Sequence, residues 1–255
     1  MSIARILIIA GSDSGGGAGI QADLKAVTML GGFAMTAITA ITAQNTLGVQ
    51  GVHPVPADMV LAQMRSCISD IGVDAVKIGM IGSAETAMGV ADLLAGLRDV
   101  PIVFDPVMVA TSGSVLADAE TIAAFEKLMA IATLVTPNIP ELLALGGEQV
   151  AARFGTHVLA KGGHGVGPVL VDRLLGPDGL VTDWTDPRID TPHTHGTGCT
   201  LASAIATGLG QGMALPGAIA RARAYVRAAL TIAPGLGGGH GPMGAPRGFE
   251  APFRA

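Results

Sequence analysis

Short apolar, β-branched runs alternate along the chain with longer stretches whose apolar positions recur every three or four residues. RILIIAG at residues 5–11 is apolar without interruption after Arg5 and reads as a strand buried on both faces. GIQADLKAVTMLGG then sets Ile20, Leu24, Val27 and Leu30 near helical spacing and stops at Gly31-Gly32. AMTAITAIT (34–42) is a strand, a helix begins near Pro56, and AVKIG (75–79) is the next strand. SAETAMGVADLLAGL predicts a helix with Ser83 as its N-cap. PIVFDPV predicts a strand ending at Asp105-Pro106, followed by a helix over 117–132, strand TLVTPN, a helix from Ile139 and strand HVLAKGG. Residues 169–184 predict two strands joined as a hairpin across GPDG, and the final third two helices, 198–212 and 216–233.

This alternation predicts an α/β fold: a central, mainly parallel sheet with helices on both faces. No linker, repeat or low-complexity tract divides residues 1–255, so one domain is expected, with 241–255 as a loose C-terminal tail. Apolar residues make up 49% and charged residues 14% of the chain, enough apolar material for a sizeable core. The Ala- and Gly-rich, aromatic-poor composition fits helices packed closely on a sheet. A net charge of -5 argues against nucleic acid or an anionic membrane as partner, so a bound phosphate must be held by local donors. Residues 26–57 carry no Asp, Glu, Lys or Arg, but glycines, Gln44 and Asn45 interrupt them before ~18 apolar residues accumulate, which excludes a membrane helix there. Only two cysteines, Cys67 and Cys199, and no signal-like start point to a reducing cytoplasm.

Ligands of such sheets bind beyond the carboxyl ends of the strands. The polar residues there are 11–13, Gln44, Asn45, Asp105, Asn138 and Lys161-Gly162-Gly163. No GxxxxGK[ST] exists, and Leu201 stands where GxGxxG needs its third glycine. A cysteine phosphatase would need an arginine where Ile205 stands. What remains is HTHGTGCTLASAIATG (193–208), a Gly-rich turn running into a helix with Cys199 at the junction. The first amides of a helix lack intrahelical acceptors and favour negative charge, so Gly196, Thr197 and Gly198 are placed to receive an oxyanion or a migrating phosphoryl group. The same location lowers a thiol pKa from ~8.5 and equips Cys199 as a proton acceptor. Asn138 and Glu141, three apart at a strand-to-helix junction, suit Mg²⁺ or simply an acidic helix start.

IAGSDSGGGAGIQADLKA, TAITAQNT, KIGMIG, DPVMVATSG, TPNIPE, KGGH and HGTGCTLASAIA occur in the order of the ribokinase-like superfamily. Together they resemble its hydroxymethylpyrimidine/phosphomethylpyrimidine kinases of thiamin biosynthesis. The resemblance implies a three-layer α/β/α ribokinase-like fold, ATP as phosphoryl donor with Mg²⁺, a small pyrimidine alcohol as acceptor, and a homodimer. It implies that Cys199 is the base beside the 196–198 turn, where sugar kinases of the superfamily carry aspartate. It implies a pyrimidine pocket of Gly11, Asp23, Gln44, Met80 and Val107, with the Gln44 amide reading the exocyclic amine and adjacent ring nitrogen. Lys161 neutralises nucleotide phosphate, Asn138 and Glu141 organise Mg²⁺, and Asp105 joins the metal or phosphate network. Adenine is expected between the loop after Lys161 and the last two helices. His164 and His195 stand outside these roles. The resemblance implies two reactions, phosphorylation of the alcohol and then of its monophosphate to the diphosphate, and Thr111 stands where many relatives carry lysine, which bears on phosphate contact in the second. The alternatives are a pyridoxal kinase of the same fold, a non-catalytic ligand-binding relative and a cysteine hydrolase.

Overall fold

A computed structural model describes residues 3–110, 113–165 and 167–249, with His164 described by its backbone alone. Thr111 therefore lies outside the described residues. The sheet has nine strands: β1 (Arg5–Asp13), β2 (Phe33–Asn45), β3 (Gly48–Pro54), β4 (Ala75–Ile78), β5 (Ile102–Phe104), β6 (Leu134–Val135), β7 (His157–Ala160), β8 (Val169–Gly176) and β9 (Gly179–Pro187). Their order is β3-β2-β1-β4-β5-β6-β7-β8-β9. The six from β2 to β7 in that order pair in parallel, and β3, β8 and β9 add antiparallel edges. From β1 the chain first turns to β2 and later returns to β4 on the other side. The crevice above β1 and β4 is thus the switch point where such sheets take ligands.

Side-chain alternation sorts the strands between two helical layers. Ile6, Ile8 and Ala10 of β1 join Val103, Leu134 and Leu159 against α1 (Gly19–Met29), α7 (Thr197–Gly210) and α8 (Leu215–Thr231). Leu7 and Ile9 join Ile78, Phe104 and Val135 against α2 (Ala57–Asp70), α3 (Ala84–Leu94), α4 (Ala119–Met129), α5 (Ile139–Ala144) and α6 (Gln149–Phe154). The three-layer α/β/α arrangement is the one expected. Helix α7 is buried all along from Thr200 to Gly208. Its small residues let it lie close to β4, β5, α1 and α8, which carries its first turn to the switch point.

Ser83 caps α3, accepting from the Thr86 amide at 3.1 Å, and the GPDG hairpin forms between β8 and β9. Four features departed from the sequence reading. β1 continues past Gly11 to Asp13 through a register shift between Ala10 and Ser12. β3 and α6 were not anticipated: VQGVH has little alternation, and α6 is a short helix closed by Gly155 in the left-handed region. The expected loose tail is engaged over its described part. Pro242 bridges to His195, the Gly244 amide donates to Ala229 O at 2.9 Å, and Phe249 packs edge-on against Tyr225. Apolar contact and main-chain bonding hold residues 241–249, and 250–255 lie outside the described residues. Among the described residues no helix is long and apolar enough to cross a membrane.

Candidate active site

A cavity of about 940 Å³ lies above the carboxyl ends of the central strands. That is at the upper end of the range for small-molecule sites and leaves room for more than one ligand. At its centre the chain enters α7. Gly196 has φ 83°, and a Cβ there would overlap the Gly17 carbonyl oxygen, so glycine is required for the turn to meet the loop after β1. The first bond of α7 runs from Thr200 N–H to Gly196 O at 2.9 Å. The amides of Gly198 and Cys199 find no acceptor among the described residues, and the helix dipole adds to their pull on an anion.

Two charged groups converge on this turn. Lys161 Nζ lies 2.8 Å from Asp105 Oδ1, and Thr136 Oγ1 donates to the same oxygen at 2.9 Å. A Cβ on Gly198 would stand 3.3 Å from both Asp105 Oδ2 and Lys161 Nζ, so glycine there keeps room beside the pair. Burial alone would lower the Lys161 ammonium pKa, but attraction to Asp105 and Glu141 holds it above its ordinary value. Asn138 and Glu141 form a reciprocal cap: Glu141 N–H donates to Asn138 Oδ1, and Asn138 N–H to Glu141 Oε2, both at 2.8 Å. Burial lifts the Glu141 carboxyl, Lys161 opposes it and Asp105 adds to it. Among the described residues no three acidic, His or Cys side chains form a metal cage of their own. Mg²⁺ commonly binds through one or two carboxylates together with substrate phosphates, and Asp105 and Glu141 on one cavity wall fit that donor set.

Cys199 corrects the expected chemistry. Its position at the helix N-terminus predicts a lowered thiol pKa, whereas burial pushes the thiol up to about 11. Lys77 pulls it down, Asp23 and Asp105 push it back up, and the Gly19 amide lowers it by hydrogen bonding. Loss of hydration is the largest of these effects, although Cys199 is only half-buried and lines the cavity.

Asp23 is a second correction. It does not line the cavity; it is fully buried in α1, with Oδ2 2.8 Å from Lys77 Nζ and Oδ1 accepting from Ser203 Oγ at 2.7 Å. An unpaired charge inside a protein is too costly to leave there, so the two sides of this ion pair require each other. Burial pulls the Lys77 ammonium down, but attraction to Asp23, Cys199 and Asp105 carries it above its ordinary value. Lys77 was legible in part: AVKIG is a strand buried on both faces, and a lysine inside it demands an acid.

Gly11, Gln44, Met80 and Val107 all line the cavity. The Gln44 backbone is held by the Ser14 hydroxyl on both its N–H and its C=O, at 2.8 Å each. Beside it stand Asp13 and His195, neither assigned a role from sequence. Burial works to raise the Asp13 carboxyl, but His195 and the amides of Ala18 and Gly15 outweigh it and hold it below its ordinary value. Arg223, also on the cavity lining, binds Asp172 at 2.7 Å and Asp186 at 2.8 Å. Asp172 also accepts from the Gly162 amide at 2.8 Å and so fixes the loop that follows Lys161.

A switch-point cavity with an anion-receiving turn, in a sheet of this order, defines a ribokinase-like α/β fold. The chain belongs to the phosphomethylpyrimidine kinase family, which residues 13–244 match. It is 47% identical to the hydroxymethylpyrimidine/phosphomethylpyrimidine kinase of Streptomyces coelicolor, over 93% of each chain. It is 45% identical to the thiamine biosynthesis multifunctional protein ThiED of Corynebacterium efficiens and 49% to the bifunctional ThiED of Geobacter sulfurreducens. The chain spans only 34% and 51% of those two proteins. Among solved structures, the Bacillus subtilis pyridoxal kinase in its ADP complex matches with a TM-score of 0.87 and 33% identity, over 96% of this chain and 98% of that one. The phosphomethylpyrimidine kinase of Clostridium difficile matches with 0.76 and 36%, over 88% and 98%.

Proposed function

We propose that the chain phosphorylates 4-amino-5-hydroxymethyl-2-methylpyrimidine from ATP, and then phosphorylates the monophosphate to the diphosphate, in thiamin biosynthesis. The observation that carries this reading is a chain of contacts on one cavity lining: Gln44 lies 3.2 Å from His195, the residue before the 196–198 turn, and Gly198 of that turn lies beside Asp105 and Lys161. An acceptor ring at Gln44 directs its hydroxymethyl group at Cys199, while a nucleotide from the Arg223 end directs its γ-phosphate at the amides of Gly198 and Cys199. Gly11, Met80 and Val107 wall the ring.

Phosphoryl transfer has a loose transition state, so positioning and charge stabilisation carry most of the catalysis. The alcohol oxygen bonds to the γ-phosphorus as its bond to ADP breaks. To act as base Cys199 first gives its own proton to solvent; the thiolate then takes the alcohol proton as the oxygen attacks, and the regenerated thiol gives that proton to solvent before the next turnover. Lys161 offsets charge on the transferring group. Mg²⁺ arrives with ATP as part of the substrate; Asp105 and Glu141 would hold it, with Asn138 fixing Glu141 by the reciprocal cap.

A cytoplasmic setting fits the two free thiols, Cys67 and Cys199. A homodimer fits the apolar surface left by Phe33, Ile41, Leu47 and Val52 on the β2–β3 edge, and light scattering reads it. Pyridoxal phosphorylation is the second reading, favoured by the pyridoxal kinase among the structural relatives. ADP release is measured with the pyrimidine, its monophosphate and pyridoxal as acceptors. Turnover highest with the two pyrimidines is expected; turnover with pyridoxal alone, or with none, overturns the proposal.

A further inference from the structure

Gln44 sits in a hydrogen-bond network whose protons can be counted. One end of its carboxamide, drawn as Nε2, is 3.2 Å from His195 Nε2, and the other, drawn as Oε1, is 3.3 Å from Thr42 Oγ1. A half-turn of the amide exchanges the two ends, so their neighbours decide the orientation. His195 Nε2 is also 3.0 Å from Asp13 Oδ2. The Asp13 carboxylate already accepts from the Gly15, Gly17 and Ala18 amides at 2.8, 3.0 and 2.7 Å, and it offers no proton. His195 Nε2 must therefore carry the hydrogen, and an amide NH₂ facing it would set donor against donor. At the other end, Thr42 donates its one hydroxyl proton to Ser12 O at 2.7 Å, so Oγ1 turns lone pairs towards Gln44. Both neighbours ask for the same half-turn: carboxamide oxygen to His195, whose one Nε2 hydrogen it shares with Asp13 Oδ2, and nitrogen to Thr42.

We infer that Asp13, His195 and Thr42 lock the Gln44 carboxamide in one orientation and thereby make His195 a specificity-determining residue. The lock rests on the proposed reading of Gln44 as the ring contact. The oxygen lone pair and N–H left over form one edge, and the lock fixes the order of acceptor and donor along it. A 4-aminopyrimidine presents an amine donor beside a ring-nitrogen acceptor. Its 4-oxo counterpart presents a carbonyl acceptor beside a ring N–H donor, the reverse order. A free carboxamide would turn to suit either ring; a locked one refuses the 4-oxo ring. Asp13 holds His195, and His195 stands directly before the Gly196 turn, so the same contact ties ring recognition to the phosphoryl site.

Calorimetry of wild type with the two 5-hydroxymethyl-2-methylpyrimidines, 4-amino and 4-oxo, without nucleotide, tests the lock. The amino ring is expected to bind at least about a hundredfold tighter. His195→Leu removes the N–H, and Thr42→Val removes the lone pairs while keeping the shape. Each is expected to shrink that ratio about tenfold or more, chiefly by improved binding of the 4-oxo ring. A merely structural role would weaken both rings together and leave the ratio unmoved. An unmoved ratio in Thr42→Val, or equal binding of the rings by wild type, overturns the lock, even where His195→Leu does not fold. Failure of the kinase reading is seen separately, as an absence of ADP release with the amino ring.

Discussion

Replacing Lys77 by methionine removes the ammonium from the fully buried pair beneath α7 and keeps an unbranched side chain of similar reach. Asp23 then loses its contact at 2.8 Å and retains only Ser203. Burial already lifts the Asp23 carboxyl above its ordinary value with Lys77 in place, and Asp105 pushes in the same direction. Without the ammonium Asp23 takes up a proton, and folding pays for that uptake above the unfolded pKa. Removing one side of a buried pair costs roughly 3–5 kcal/mol, and here the loss is expected to grow from pH 5 to pH 7. The sign follows from a raised folded pKa: the contribution is intact below the unfolded value and is lost as pH rises. Urea unfolding followed by circular dichroism at pH 5, 6 and 7 reads both size and slope. Asp23→Asn combined with Lys77→Met removes both charges and is expected to restore most of the loss. A pH-independent loss, or one below about 1 kcal/mol at pH 7, would refute the reasoning.

Burial pushes the Cys199 thiol up to about 11. If its thiolate accepts the alcohol proton, kcat rises with pH across the neutral range, and Cys199→Ala flattens that profile while leaving the KM for ATP close to wild type; a flat wild-type profile removes the thiolate from the chemistry. Gln44→Leu is expected to raise the KM for the pyrimidine at least about tenfold, at one lost polar contact of about 1.5 kcal/mol, and to spare the KM for ATP; equal effects on both would contradict its ring contact. Asn138→Ala removes the cap of α5 and is expected to cost about 1 kcal/mol in urea unfolding, with the kinetic defect concentrated at low Mg²⁺. A stability unchanged by that substitution would mean the reciprocal cap does not hold Glu141.

The central layer was legible because burial on both faces writes continuous apolar runs, as in residues 6–10 and 102–104, and because glycine and proline mark their ends. Edge strand β3 was hidden because its exposed residues need no alternation. The strand ends that carry Gln44, Asp105, Asn138 and Lys161 could be listed from the apolar runs, since a parallel sheet brings its carboxyl ends together, and Cys199 from the Gly-rich turn that enters its helix. Their electrostatics could not. Helix position suggested an acidic thiol, and only the packing around the start of α7 shows the burial that pushes it the other way. Asp23 on an amphipathic helix gives no sign of facing inward until Lys77 is seen opposite it. His195 pairs with Asp13 across 182 residues of chain, a separation at which sequence spacing carries no geometric information.

The most direct measurement is a crystal structure of the chain with a non-hydrolysable ATP analogue and the aminopyrimidine alcohol bound together. The γ-phosphate oxygens are expected within ~3 Å of the Gly198 and Cys199 amide nitrogens, with the hydroxymethyl oxygen in hydrogen-bond reach of Cys199 Sγ. A γ-phosphate bound away from that turn, or an alcohol turned away from the sulfur with the ring off Gln44, would contradict the account.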